Sequence, residues 1–152
     1  MAFGMELIGF DPYQETWPPH VHRVDSVREL CERCDVLTVH VPLNDETRGL
    51  VGAAELVALG SLGILINTAR GAVVDEQSLL SSLSVGGLAA AAVDVVEGER
   101  AGDLAEHPLV RFSRENSNLL VTPHIAGATF ESMERTEVFM VDRLAQFLDG
   151  LA

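Results

Sequence analysis

Apolar residues in this chain come in short blocks, each closed by a turn former, and the spacing inside the blocks switches between continuous and helical. Met5 to Phe10 is an apolar run ended by Asp11-Pro12, the pattern of a buried strand. Residues 12 to 24 hold three of the six prolines and two histidines, which predicts loop. Asp25-Ser26 opens a short helix through Arg33, with Val27, Leu30 and Cys31 on its inner side. Asp35 to Val41 is β-branched and apolar, a second strand stopped by Pro42. Ala53 to Leu59 is a helix halted by Gly60, and Leu62 to Asn67 is a third strand. Asp75 caps a helix to Leu83, with Gly86 beyond it. Leu88 to Val96 is a fourth strand; its alanines have helical propensity, but preceding glycines and following β-branched residues favour strand. Residues 97 to 117 form a charged loop with one helical turn at His107 to Phe112. Leu119 to Thr122 is a fifth strand, stopped by Pro123. Phe130 to Leu148 is the longest helix, with Phe130, Met133, Thr136, Val141, Leu144 and Leu148 roughly on one face; Glu131, Glu134 and Glu137 fit a solvated face.

Short continuous strands alternating with helices predict an α/β fold, a parallel sheet covered on both faces. No repeat, low-complexity segment or linker divides the 152 residues, the length of one domain. The net charge of -13 argues against nucleic acid and an anionic membrane surface, since both require a basic patch. No apolar run approaches a membrane span, no secretory leader is visible, and two cysteines make no disulfide framework, so a cytoplasmic location is expected.

Three segments follow predicted strands: Asn67-Thr-Ala-Arg-Gly71, Asp94-Val-Val-Glu-Gly-Glu99 and Thr122-Pro-His-Ile-Ala-Gly127. Open α/β sheets bind ligands beyond the carboxyl ends of their strands, so parallel neighbours are expected to bring Arg70, Glu99 and His124 to one edge. Arg70 offers a planar fork for a carboxylate. His124 exchanges a proton near neutral pH, and Glu99 can hydrogen-bond its other ring nitrogen and favour the imidazolium. Such a set suits a 2-hydroxy or 2-oxo acid, with hydride carried by a cofactor because no side chain can hold it. Asp11, at the end of the first predicted strand, is placed to bind ribose hydroxyls and disfavours a 2′-phosphate, which points to NAD.

Val39-His-Val-Pro-Leu43, Glu46-Thr-Arg-Gly-Leu50, Asn67-Thr-Ala-Arg-Gly71, Val74-Asp-Glu76, Ala92-Val-Asp-Val95 and Thr122-Pro-His-Ile-Ala-Gly127 occur in this order. Together they resemble the D-isomer-specific 2-hydroxyacid dehydrogenase family, from about Phe3 to Leu148, nearest to its phosphoglycerate dehydrogenase-like members. The resemblance implies a Rossmann-like, doubly wound NAD-binding domain. It implies Arg70 as the substrate-carboxylate arginine, His124 as the acid-base histidine and Glu99, five residues after Asp94, as its carboxylate partner. On the cofactor side it implies Asp11 at the ribose, Val41 and Pro42 beside the adenosine, and Thr47 on the phosphate side. Asp94 falls at the nicotinamide carboxamide, with Ala69 and Gly127 lining the nicotinamide end. It also implies pairing into a homodimer and a small 2-hydroxy acid as substrate. Arg100 departs from the proline common in the family.

The larger departure is at the front. G-x-G-x-x-G, expected roughly 20 residues before the ribose acid, is not in the sequence. Residues 1–152 are therefore expected to correspond to part of the NAD-binding domain, without the first strand, the glycine turn or the substrate domain, with Ala2-Phe3-Gly4 as the tail of the first helix. Loss of the central strand leaves two interior strands with facing unpaired edges, which either close up or accept another chain. Negligible turnover by this chain alone is expected. The alternative function is a non-catalytic nucleotide-binding or interaction module like the family's corepressors. Cys31-x-x-Cys34 with His20 and His22 does not have finger spacing, so packing is preferred to a metal site. His40 is expected within a strand and His107 at a turn.

Overall fold

In the computed structural model, which describes residues 4–99, 103–125, 127 and 129–150, the chain divides into two compact units, Met1–Thr122 and Pro123–Ala152. Arg100, Ala2, Phe3 and Ala126 lie outside the described residues.

Among the described residues the first unit holds six strands, all parallel, in two sheets. β1 (Leu7–Gly9) pairs with β2 (Val21–Arg23), while β3 (Val36–Val39), β4 (Ile64–Asn67), β5 (Ala90–Val93) and β6 (Leu119–Val121) pair in that order. β1 and β3 are not paired, so these two strands have not closed up on each other. The register of the larger sheet explains its core. Leu37, Leu65, Ala91 and Leu119 stand in one cross-strand row, and all four are buried, with Leu65 at 0% exposure. The next residue of each strand faces the other way, which is the period-two rule of the pleat.

Four helices connect the strands. α1 (Val27–Arg33) starts at Ser26, whose hydroxyl accepts the Glu29 amide at 3.1 Å. α2 (Ala53–Leu59) starts after Gly52, whose amide is taken by the Glu55 carboxylate at 3.0 Å. α3 (Glu76–Ser84) is capped by Asp75, which accepts the Ser78 amide at 2.7 Å; those amides hold the Asp75 carboxyl below the usual carboxylate range. α4 (Pro108–Glu115) is capped by His107 and begins on a proline, which needs no amide partner there. Cys31, Leu56, Leu59, Leu79, Leu83 and Leu109 from these helices join the sheet row in one core. On the other face of the sheet Leu120 is 61% exposed.

Two local expectations are corrected. Residues 21–23, expected as loop, form β2, because a three-residue segment carries no periodicity and its strand state comes from pairing with β1. The expected charged loop holds a 3-10 turn at Leu104–Glu106, and the helical turn expected at His107 to Phe112 is a full helix, α4, whose charges lie outward while Leu109 and Phe112 point to the core. Cys31 is buried and Cys34 half-buried, both as free thiols, and burial pushes the Cys31 thiol up to about 12. Among the described residues no group of His, Cys, Asp and Glu could hold a metal ion, and no helix is long and apolar enough to cross a membrane.

The second unit is built on α5 (Phe130–Asp149), capped by Thr129, whose hydroxyl accepts the Ser132 amide at 3.2 Å. Its apolar residues, including Phe139, Val141, Leu144 and Phe147, are exposed.

Candidate functional site

The site grows from the end of β4. That strand closes on Asn67, a polar side chain that is 1% exposed. Its Oδ1 accepts the Ala69 amide at 3.0 Å and its Nδ2 donates to the Arg70 carbonyl at 3.0 Å. One side-chain amide thus meets two backbone groups of the turn that leaves the sheet; the Ala69 amide would cost about 1–3 kcal/mol if buried unmet, while the Arg70 carbonyl also accepts the Val73 amide at 3.2 Å. The turn presents Arg70 at the surface, its Nη1 donating to the Ala69 carbonyl at 2.6 Å.

Gly71 follows, opening a 3-10 turn to Val73. A Cβ on Gly71 would lie 2.2 Å from the Glu97 nitrogen. The backbone leaving β5 therefore presses on the turn leaving β4, and only glycine permits that approach. The pressed strand continues through Gly98, in the left-handed region at φ +73°, to Glu99, which is half-buried. Asp94, directly after β5, donates its amide to the Asn67 carbonyl at 3.0 Å and accepts the Thr122 hydroxyl on Oδ1. Arg70, Glu99 and Asp94 are thus carried by the exits of neighbouring strands β4 and β5.

His124 belongs to the second unit, three residues after β6, with Gly127 beyond it; both are exposed. His124 has φ 52°, the only non-glycine residue with positive φ among those described. That region is uncommon for a side-chain-bearing residue and is enriched at functional positions.

On the other side of Arg70 lies an open cleft of about 710 Å³, lined by His40, Val41, Pro42, Leu43, Thr68, Ala69 and Arg70. These residues follow β3 and β4, so the cleft sits beyond the carboxyl ends of adjacent strands. The 42–47 loop that frames it is tied by Thr47, whose hydroxyl donates to the Pro42 carbonyl at 2.6 Å and accepts the Asn44 amide at 2.9 Å. His40 lies just past β3, its Nε2 2.9 Å from the Thr38 hydroxyl. Asp11, two residues after β1, accepts the Tyr13 amide at 2.9 Å, and the Tyr13 hydroxyl donates to Glu46. The Glu46 carboxylate pushes the Tyr13 phenol up from its ordinary value.

Two roles were not read from the sequence: Asn67 as the residue that shapes the Arg70 turn, and Glu76 as a partner of His107 (Nε2–Oε2 3.3 Å). An asparagine closing an apolar strand is a usable signal for the first, since its side chain mimics a backbone turn.

Residues 1–126 match the family model described as D-isomer specific 2-hydroxyacid dehydrogenase, NAD binding domain. The chain is 35% identical over 152 residues to a D-3-phosphoglycerate dehydrogenase of Methanocaldococcus jannaschii, covering 98% of this chain and 28% of that protein. It is 38% identical over 153 residues to a glyoxylate reductase of Thermofilum pendens, covering 98% of this chain and 43% of that protein. Among solved structures, D-2-hydroxyisocaproate dehydrogenase superposes with a TM-score of 0.85 at 30% identity, over 97% of this chain and 47% of that one. The chain therefore spans less than half the length of each of these relatives.

Proposed function

We propose, from the premise that this chain belongs to the D-isomer specific 2-hydroxyacid dehydrogenase family through its NAD-binding domain, that it is the nucleotide-side part of an NAD-dependent oxidoreductase acting on a small 2-hydroxy or 2-oxo acid. Residues 1–152 are assigned to one NAD-binding domain. The observation that carries the proposal is the Asn67-braced turn, which sets Arg70 at the lip of the cleft beyond β3 and β4.

The residues present fit a nicotinamide nucleotide. Val41, Pro42 and Ala69 give the cleft apolar walls suited to flat rings, and Asp11 stands at the end of β1 as the acceptor for ribose hydroxyls. Thr47 acts by holding the loop on the phosphate side. Asp94 and Gly127 are assigned to the nicotinamide end. When bound, NAD supplies the acceptor for the substrate's hydride. Arg70 grips the substrate carboxylate through its guanidinium. His124 takes the hydroxyl proton in oxidation and returns it in reduction, and Glu99 steadies the imidazolium.

A homodimer in the cytoplasm is the proposed state. Free thiols at Cys31 and Cys34 support a reducing compartment, and the exposed apolar residues of α5 support self-association. The charge of -13 supports a small-molecule substrate and no nucleic acid or membrane partner.

The test is a graft in which this chain replaces the span it matches in the Thermofilum pendens glyoxylate reductase. Loss of NADH absorbance with glyoxylate is expected for the graft and not for the 152-residue chain alone. His124→Asn in the graft is expected to lower kcat by about 10²- to 10⁴-fold, the usual contribution of a positioned acid-base group. A folded graft that binds NADH without turnover, or that ignores His124→Asn, contradicts the proposal.

A further inference from the structure

Glu76 is a mostly buried carboxylate that the proposed chemistry leaves unused; its side chain is 15% exposed. It is the first residue of α3, and both of its oxygens are engaged. Oε1 accepts the backbone amide of Glu97 at 2.7 Å, and Oε2 lies 3.3 Å from Nε2 of His107, a ring that is 16% exposed. The other nitrogen of that ring, Nδ1, accepts the Leu109 amide at 3.3 Å, which caps α4. A nitrogen that accepts carries no proton, so a neutral His107 holds its proton on Nε2, directed at Glu76. Burial pushes the Glu76 carboxyl up, and the Glu97 amide and His107 pull it back. A desolvated carboxylate is tolerated where donors meet its oxygens, and here two donors do so.

The anchor points have a common geometry. Glu97 leads through Gly98 to Glu99, and the Glu97 backbone also lies against Gly71, the neighbour of Arg70. The segment from Arg70 to Glu76 thus touches the β5 exit at both of its ends. His107 ties the same carboxylate to the start of α4. We propose that Glu76 is a positioning residue for Glu99: one carboxylate oxygen fixes the Glu97 amide and so sets the backbone that carries Glu99 against the Arg70 turn, while the other takes the N–H of the His107 imidazole. The proposal rests on the role given to Glu99 above.

The test uses the full 152-residue chain and the graft. In the chain, Glu76→Ala is expected to speed amide exchange at Glu97 about tenfold, the scale of one hydrogen bond near 1.4 kcal/mol, with exchange at Leu65 unchanged. Glu76→Gln keeps an acceptor for Glu97 and restores its protection, but turns an amide N–H toward the N–H of His107. The ¹⁵N spectrum of His107 should then leave the Nε2-protonated pattern. His107→Asn keeps a side-chain cap on α4 while releasing Glu76, and should leave the Glu97 amide protected. In the graft, Glu76→Ala should lower kcat about tenfold with KM for NADH unchanged, and Glu76→Gln should recover most of the loss, a split that general destabilisation does not produce. Unchanged exchange at Glu97 in Glu76→Ala, or a His107 spectrum indifferent to Glu76→Gln, overturns the proposal. If Glu76→Ala fails to fold, the isosteric Gln variant decides through the His107 spectrum. An unsubstituted graft without turnover sinks the dehydrogenase reading, while exchange and nitrogen shifts still decide the clamp.

Discussion

The two parallel sheets of this chain use the same kinds of residue and differ in what covers them. In the four-stranded sheet every strand contributes a buried side chain, and the row Leu37, Leu65, Ala91 and Leu119 is sealed by helices α1 to α4. In the β1–β2 pair no strand residue is fully buried. Its local packing brings Trp17 against Gly9, close enough that a Cβ on Gly9 would sit 2.4 Å from the ring. Each sheet nonetheless places candidate ligand residues just past its strand ends, Asp11 on the pair and Arg70 and Asp94 on the larger sheet. Arg70 and Asp94 stand on well-packed ground, whereas the proposed ribose acid stands on a segment with little apolar cover, where local opening is cheap.

The comparison breaks most readily on core deletions. Leu65→Ala should cost about 3–5 kcal/mol, the usual range for a buried leucine, whereas Leu7→Ala, at a residue 41% exposed, should cost less than about 1 kcal/mol. Chemical denaturation followed by circular dichroism measures both, and equal costs would erase the distinction. Asn67→Ala should come next, at roughly 1–3 kcal/mol, because it leaves the buried Ala69 amide without its partner and removes one of the two donors to the Arg70 carbonyl, the other being the Val73 amide. Gly9→Ala sharpens the contrast by acting on the pair alone. It should displace Trp17, the single tryptophan, and red-shift its emission, while costing global stability no more than about 1 kcal/mol. The smallest effect is a pH dependence at the α3 cap. The Asp75 carboxyl is lowered, so the unfolded chain binds more protons than the folded one in the acid range. Its stabilisation is full above the ordinary aspartate pKa of about 4 and is lost as pH falls through the folded value. Asp75→Asn keeps the cap and should flatten that part of an acid titration of stability, by less than about 1 kcal/mol.

Legibility in the sequence followed the same division. The apolar runs of β3, β4 and β6 and the starts of α1 and α3 at Ser26 and Asp75 could be read because each depends on local spacing or a cap. β2 could not, since Val21-His-Arg23 becomes a strand only through its register with Leu7–Gly9. Only one turn of α4 could be read, at His107 to Phe112; its full length was hidden because Arg111, Arg114 and Glu115 make the sequence look like charged loop, although Leu109 is 1% exposed. In the candidate site, Arg70 and Asp94 were legible as residues that end apolar strands. The Asn67 brace and the meeting of Glu76, Glu97 and His107 were not, because tertiary contacts between separate turns leave no period in the chain.

β4 of the well-packed sheet is proposed to deliver Arg70 as the grip for a 2-oxo acid carboxylate. The most direct test of that role is the KM for glyoxylate in the graft carrying Arg70→Lys, measured beside the KM for NADH. A point charge in place of a two-pronged fork should raise KM for glyoxylate about 10- to 100-fold, the worth of roughly 1.5–3 kcal/mol for a hydrogen bond to a charged group, and leave KM for NADH unchanged. An unaltered KM for glyoxylate would contradict the claim and leave the chain as a nucleotide-binding module.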